Sequence, residues 1–81
     1  MRSIDLSAKH LVIGFGITGL SLVKALKTIG VHHIWAMDSR ECPPNSHDIK
    51  SIATDCFVGG FHNDWLEQCD YLWLSPGIPL A

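Results

Sequence analysis

An open parallel α/β sheet of about four strands, with helices on both faces, is the fold this sequence predicts. Three observations predict it. Short apolar runs alternate with segments of helical period, the order expected of βαβ units. The first apolar run leads into G-x-G-x-x-G, Gly14-Phe15-Gly16-Ile17-Thr18-Gly19, the turn that joins a buried strand to a helix. An acidic residue, Asp38, stands 19 residues past Gly19, at the end of the next apolar run.

Each element follows from its residues. His10–Gly14 is apolar and continuous, as a strand covered on both sides must be. From about Ile17 to Ile29 the period becomes helical: Gly19, Leu22, Val23, Leu26 and Ile29 share one face, and Ser21, Lys24, Lys27 and Thr28 the other. Lys27 suits the negative end of that helix, and Gly30 its C-cap. His32–Met37 reads as the second strand, ending at Asp38. Glu41–Ser46 contains Pro43-Pro44 and is expected to be loop, because a proline removes a ladder or helix donor. His47–Thr54 holds a short helix, and Asp55–Val58 a third strand closed by Gly59-Gly60. Asn63 is the expected N-cap of a helix through Gln68. Tyr71–Leu74 is the fourth strand, running into Ser75-Pro76-Gly77, where Pro and Gly suit the two central positions of a type II turn.

Composition narrows the function classes. The chain has 81 residues, enough for one small domain, with 47% hydrophobic and 17% charged residues and a net charge of -2. It has no Lys/Arg run, which argues against nucleic-acid binding. The three cysteines, Cys42, Cys56 and Cys69, form no C-x-x-C pair and suggest reduced thiols rather than a disulfide framework or a zinc site. None of the five histidines stands at a metal-ligand spacing, so no metal site is expected. The uncharged run Leu11–Val23 is not read as a signal-peptide core: it carries three glycines at motif spacing and lacks a small-x-small cleavage pattern. It is also too short to span a membrane. The tryptophans, Trp35, Trp65 and Trp73, read as packing residues rather than as a platform for bases.

In a parallel sheet all strands leave at one edge, and ligands bind there, where the strand order reverses. Three turns of complementary chemistry reach that edge. The glycine loop offers backbone N–H groups and a helix N-terminus to an anion: Gly14 for the tight turn, Gly16 for close approach, Gly19 for helix packing. Asp38-Ser39-Arg40 adds an acceptor, a hydroxyl and a planar cation able to stack on a base. Ser75-Pro76-Gly77 adds backbone groups without bulky side chains. Together they predict a nucleotide site. Gly19 is followed by Leu20, so the glycine run is not a G-x-x-x-x-G-K-[ST] loop for ATP. Replacing Asp38 with Ala is expected to weaken nucleotide binding and leave the fold intact, as for a strand-end carboxylate outside the core.

The order G-F-G-I-T-G-L-S (Gly14–Ser21), D-S-R-x-x-P-P (Asp38–Pro44), N-D-W-L (Asn63–Leu66) and S-P-G-I (Ser75–Ile78) resembles the N-terminal domain of a Mur ligase, most nearly that of the D-glutamate-adding members. The resemblance implies a Rossmann-like domain over residues 1–81 that holds the UDP part of UDP-N-acetylmuramoyl-L-alanine, within an ATP-dependent ligase of bacterial peptidoglycan synthesis in the cytoplasm. It implies that Ile17 and Thr18 serve the uridine and diphosphate loop, Asp38, Ser39 and Arg40 the uracil side, and Ser75, Pro76 and Gly77 the uridine cleft. ATP and Mg2+ are then expected in the full-length enzyme, with no cofactor and no catalytic residue in this chain. The family's N-terminal domain continues beyond S-P-G-I with another helix and strand. The resemblance therefore implies a truncated domain, a fragment inactive in ligation by itself, with a sheet edge open to self-association. Two other readings stand beside it: an NAD(P)-binding half of an oxidoreductase, with Asp38 on the adenosine ribose, and a stand-alone nucleotide-binding module.

Overall fold

The computed structural model describes residues 4–74. Their elements run β1 (Lys9–Ile13), α1 (Ile17–Thr28), β2 (His33–Asp38), α2 (Ser46–Ile52), β3 (Asp55–Val58), α3 (Asn63–Gln68) and β4 (Tyr71–Leu74). The strands form one parallel sheet in the order β3-β2-β1-β4. The expected Rossmann-like α/β fold is therefore present. Strand order reverses at β1: the chain steps outward to β2 and β3, then returns to the other side of β1 for β4. That reversal marks where such sheets bind ligands.

The pleat sends alternate side chains to opposite faces. Val12 of β1 with Ile34 and Ala36 of β2 face α1 and α2, where Val23, Leu26 and Ile49 close the main core. These residues are almost wholly buried. Trp35 points to the other face, where its ring stacks on Trp65 of α3 at 5.1 Å. His62 also stacks on Trp65, at 4.4 Å, and Phe57 meets both rings edge-on. Helices thus cover both faces, as expected, and Trp35 and Trp65 are packing residues. The cover on α3's face is partial: Leu72 and Leu74 of the edge strand β4 are exposed.

A second aromatic group ties β4 to β1. His10 is fully buried, and its ring lies parallel to Tyr71 at 4.4 Å. Trp73 Nε1 donates to His10 Nδ1 at 3.1 Å, and His10 Nε2 lies 2.9 Å from the Asp5 carbonyl oxygen. An indole N–H only donates and a carbonyl only accepts, so this network selects the neutral ring protonated on Nε2. His10 is a packing residue in this network.

Element ends differ from expectation where one backbone group decides. β1 stops at Ile13 because Gly14 turns to φ 107°, although its N–H still donates to the Met37 carbonyl. α1 ends one residue early, at Thr28, in a Schellman closure: Gly30 N–H bonds Lys27 O and Val31 N–H bonds Leu26 O, with Gly30 at φ 98°. α2 begins at Ser46, inside the expected loop, because Asn45 takes a left-handed φ of 62° and redirects the chain straight after the proline pair. The N-cap of α3 is His62 rather than Asn63. The His62 carbonyl accepts from Trp65 and Leu66 N–H, which places Asn63 inside the first turn.

Candidate functional site

Two of the three expected turns meet at the carboxyl edge of the sheet. Register pairs Ile13 with Met37, so the glycine loop after β1 and Asp38-Ser39-Arg40 after β2 leave side by side. A hydrogen bond joins them: Phe15 N–H donates to Asp38 Oδ2 at 2.9 Å. Leu74 pairs with Ile13, so β4 reaches the same edge. Ser75, Pro76 and Gly77 lie outside the described residues.

The loop itself is built around a buried residue. Phe15 is 0% exposed and anchors the turn beneath the surface. Gly14 and Gly16 flank it, Gly14 at φ 107° and Gly16 as the extended N-cap of α1. Gly19 is buried on the inner face of α1, where a third glycine was expected. Thr18 is half-buried, and Ile17 is 80% exposed at the mouth of the loop. The exposed isoleucine places an apolar surface beside the backbone N–H groups at the start of α1.

The start of α1 is electrostatically open. Gly16 supplies no side-chain cap, and the first turn carries no acidic residue. Among the described residues, no acceptor takes the N–H groups of Gly16, Ile17 or Thr18. The positive end of the helix dipole is therefore left for an anion.

Asp38 is 3% exposed. Its Oδ1 accepts from Arg40 N–H at 2.8 Å and Arg40 Nε at 2.9 Å; its Oδ2 accepts from Phe15 N–H at 2.9 Å and Arg40 Nη2 at 2.7 Å. Two bonds on each oxygen fill the roughly four acceptor positions of a carboxylate. The Arg40 guanidinium above all, helped by the backbone N–H groups of Arg40 and Phe15, lowers the Asp38 carboxyl to about 2. The expectation that Asp38 contributes little to the fold is corrected by this geometry: its removal would leave the buried Phe15 N–H without an acceptor. Arg40 is locked in turn, with its side chain 46% exposed and its plane fixed by the carboxylate. Ser39 is exposed beside it. Gly59, at φ 85°, donates its N–H to the Asp38 and Arg40 carbonyls and closes the turn from the β3 side.

The family model described as Mur ligase MurD-like, N-terminal domain, matches residues 8–81. The chain belongs to this family. Its curated relatives agree. It is 42% identical over 71 residues to a UDP-N-acetylmuramoylalanine–D-glutamate ligase of Aliivibrio fischeri, a match covering 86% of this chain and 16% of that protein. The ligase of the same name from Photorhabdus laumondii is 38% identical over 76 residues, covering 94% of this chain and 17% of that protein. That of Thermoanaerobacter sp. is 37% identical over 75 residues, covering 89% of this chain and 16% of that protein. The matches thus span 16–17% of the length of these relatives.

Within this MurD-like domain, two of the three cysteine thiols are shifted away from reactivity. Burial raises the thiols of Cys56 and Cys69, the opposite of nucleophile activation. No cluster of three His, Cys, Asp or Glu suited to a metal exists among the described residues, and the sequence has no G-x-x-x-x-G-K-[ST] loop. No step through Mg2+ or ATP is assigned to the described residues. No helix among the described residues is long and apolar enough to cross a membrane.

One participant escaped the sequence reading. Asn45, just before α2, donates its Nδ2 N–H to the Phe15 carbonyl at 2.8 Å, across 30 residues of sequence. The available signal was an asparagine after a proline pair, a residue that tolerates left-handed backbone. Its partner could not be read from that.

Proposed function

We propose that this chain forms the UDP-holding part of a ligase that joins D-glutamate to UDP-N-acetylmuramoyl-L-alanine in bacterial peptidoglycan synthesis, in the cytoplasm. The observation that carries the proposal is the uncapped start of α1 beside a locked Arg40, in a chain of the MurD-like N-terminal family. The diphosphate sits against the free N–H groups of Gly16, Ile17 and Thr18, with the Thr18 hydroxyl as a further donor. The uracil lies against the Arg40 plane, Ser39 and Ile17. Asp38 acts here by holding Arg40 and the glycine loop in place. ATP and Mg2+ belong to other parts of the full-length enzyme, and these residues bind without performing the ligation.

The filled carboxylate also weighs against a dinucleotide site. There the acid at the end of the second strand must accept from ribose hydroxyls. Every acceptor position of Asp38 is already taken from within the chain.

Titration calorimetry tests the proposal with UDP, UDP-N-acetylmuramoyl-L-alanine and NAD as separate ligands. Heat with the two uridine nucleotides and none with NAD is expected. Binding of NAD with no response to UDP would overturn it.

A further inference from the structure

We propose that Asn45 is a positioning residue for the glycine loop: its amide holds the Phe15 carbonyl and so aims the Gly16 N–H at the bound diphosphate. The inference rests on the UDP reading above. An asparagine at an N-cap ordinarily accepts from an N–H of its own helix's first turn. Asn45 makes no such bond. Its side chain reaches instead to the Phe15 carbonyl, at 2.8 Å. Its backbone sits at φ 62°, which most side chains avoid and asparagine tolerates. That conformation delivers the amide to the loop.

Phe15 is thereby pinned from two sides. Asp38 holds its N–H and Asn45 its C=O, while its ring is fully buried. The peptide joining Phe15 to Gly16 is planar and trans, so the carbonyl and the next N–H point in opposite directions. With the carbonyl drawn toward Asn45, the Gly16 N–H is directed away from α2. No acceptor among the described residues takes it. The clamp thus presets the first donor of the anion site, so that binding does not have to order it.

The substitution N45G separates the two properties of the residue, because glycine adopts the left-handed backbone freely and deletes only the amide. UDP and uridine affinities are measured for the parent chain, N45G and N45D, together with the Gly16 amide resonance by 15N NMR. In N45G the UDP dissociation constant rises about fivefold, the effect of losing one neutral hydrogen bond. Uridine affinity is unchanged, and the Gly16 resonance moves. N45D, which turns an acceptor toward the carbonyl, weakens UDP at least as much. An N45G chain with parental UDP affinity overturns the inference. So does an equal loss for uridine and UDP, which marks general loosening of the fold. A parent chain that ignores UDP overturns the proposed function instead; the clamp on Phe15 then stands if the Gly16 resonance moves in N45G and falls if it does not.

Discussion

Asp38 carries two duties with one side chain: it accepts the Phe15 N–H, and it holds the Arg40 guanidinium flat. Removing it leaves a buried donor unpaired and frees the Arg40 side chain. D38A is therefore expected to lose about 2–4 kcal/mol of stability at neutral pH, measurable by urea unfolding. The pH dependence has a definite sign. The folded carboxyl titrates at about 2, below its unfolded value. Its contribution is complete above about pH 4 and fades as pH falls toward 2, an amount on the order of 2 kcal/mol. The stability gap between the parent chain and D38A should narrow over that window. A gap that stays constant or widens there would refute the assigned role. Asp38 was legible in the sequence as an acid at a strand end. Its saturation was not, since Phe15 is 23 residues away and Arg40 gave no sign of folding back on it.

The elements were more legible than the contacts between them. Continuous apolar strands, a helix with one inward face and a proline-bearing loop are local properties, and β3 and β4 fall where alternation and punctuation placed them. Their ends depended on single groups. Asn63 looked the better cap, but the His62 carbonyl starts α3 and the His62 ring packs on Trp65, one turn further on. Trp65 is the link between α3 and the sheet, stacked with both His62 and Trp35. W65A is expected to cost about 2–3 kcal/mol, given a half-buried ring with two stacked partners. The accompanying sign is loss of near-ultraviolet circular dichroism from the Trp35 environment. Unchanged unfolding would mean that α3 is held by other contacts.

For the whole molecule, the order β3-β2-β1-β4 matters most, because it sets β1 between β2 and β4 and gathers their exits. A ligand gripping the glycine loop and Arg40 bridges two strands that are distant in sequence. UDP should then stabilise the folded chain: at a hundredfold excess over its dissociation constant, by about 2.7 kcal/mol. For a domain of this size that raises Tm by on the order of 10 °C, readable in a thermal scan of tryptophan fluorescence. A Tm indifferent to UDP would sink the proposed function at this scale.

The sequence by itself determined the elements, the glycine turn and the family resemblance, because each rests on residues within a few positions of one another or on motif order along the chain. The tertiary structure alone decided what the site residues do. Asp38 became a latch rather than an open acceptor, and Asn45 entered as the clamp on Phe15. Both roles depend on hydrogen bonds across 23 and 30 residues. Such partners are chosen by strand order and register, which place the loop after β1 against the turns that follow β2.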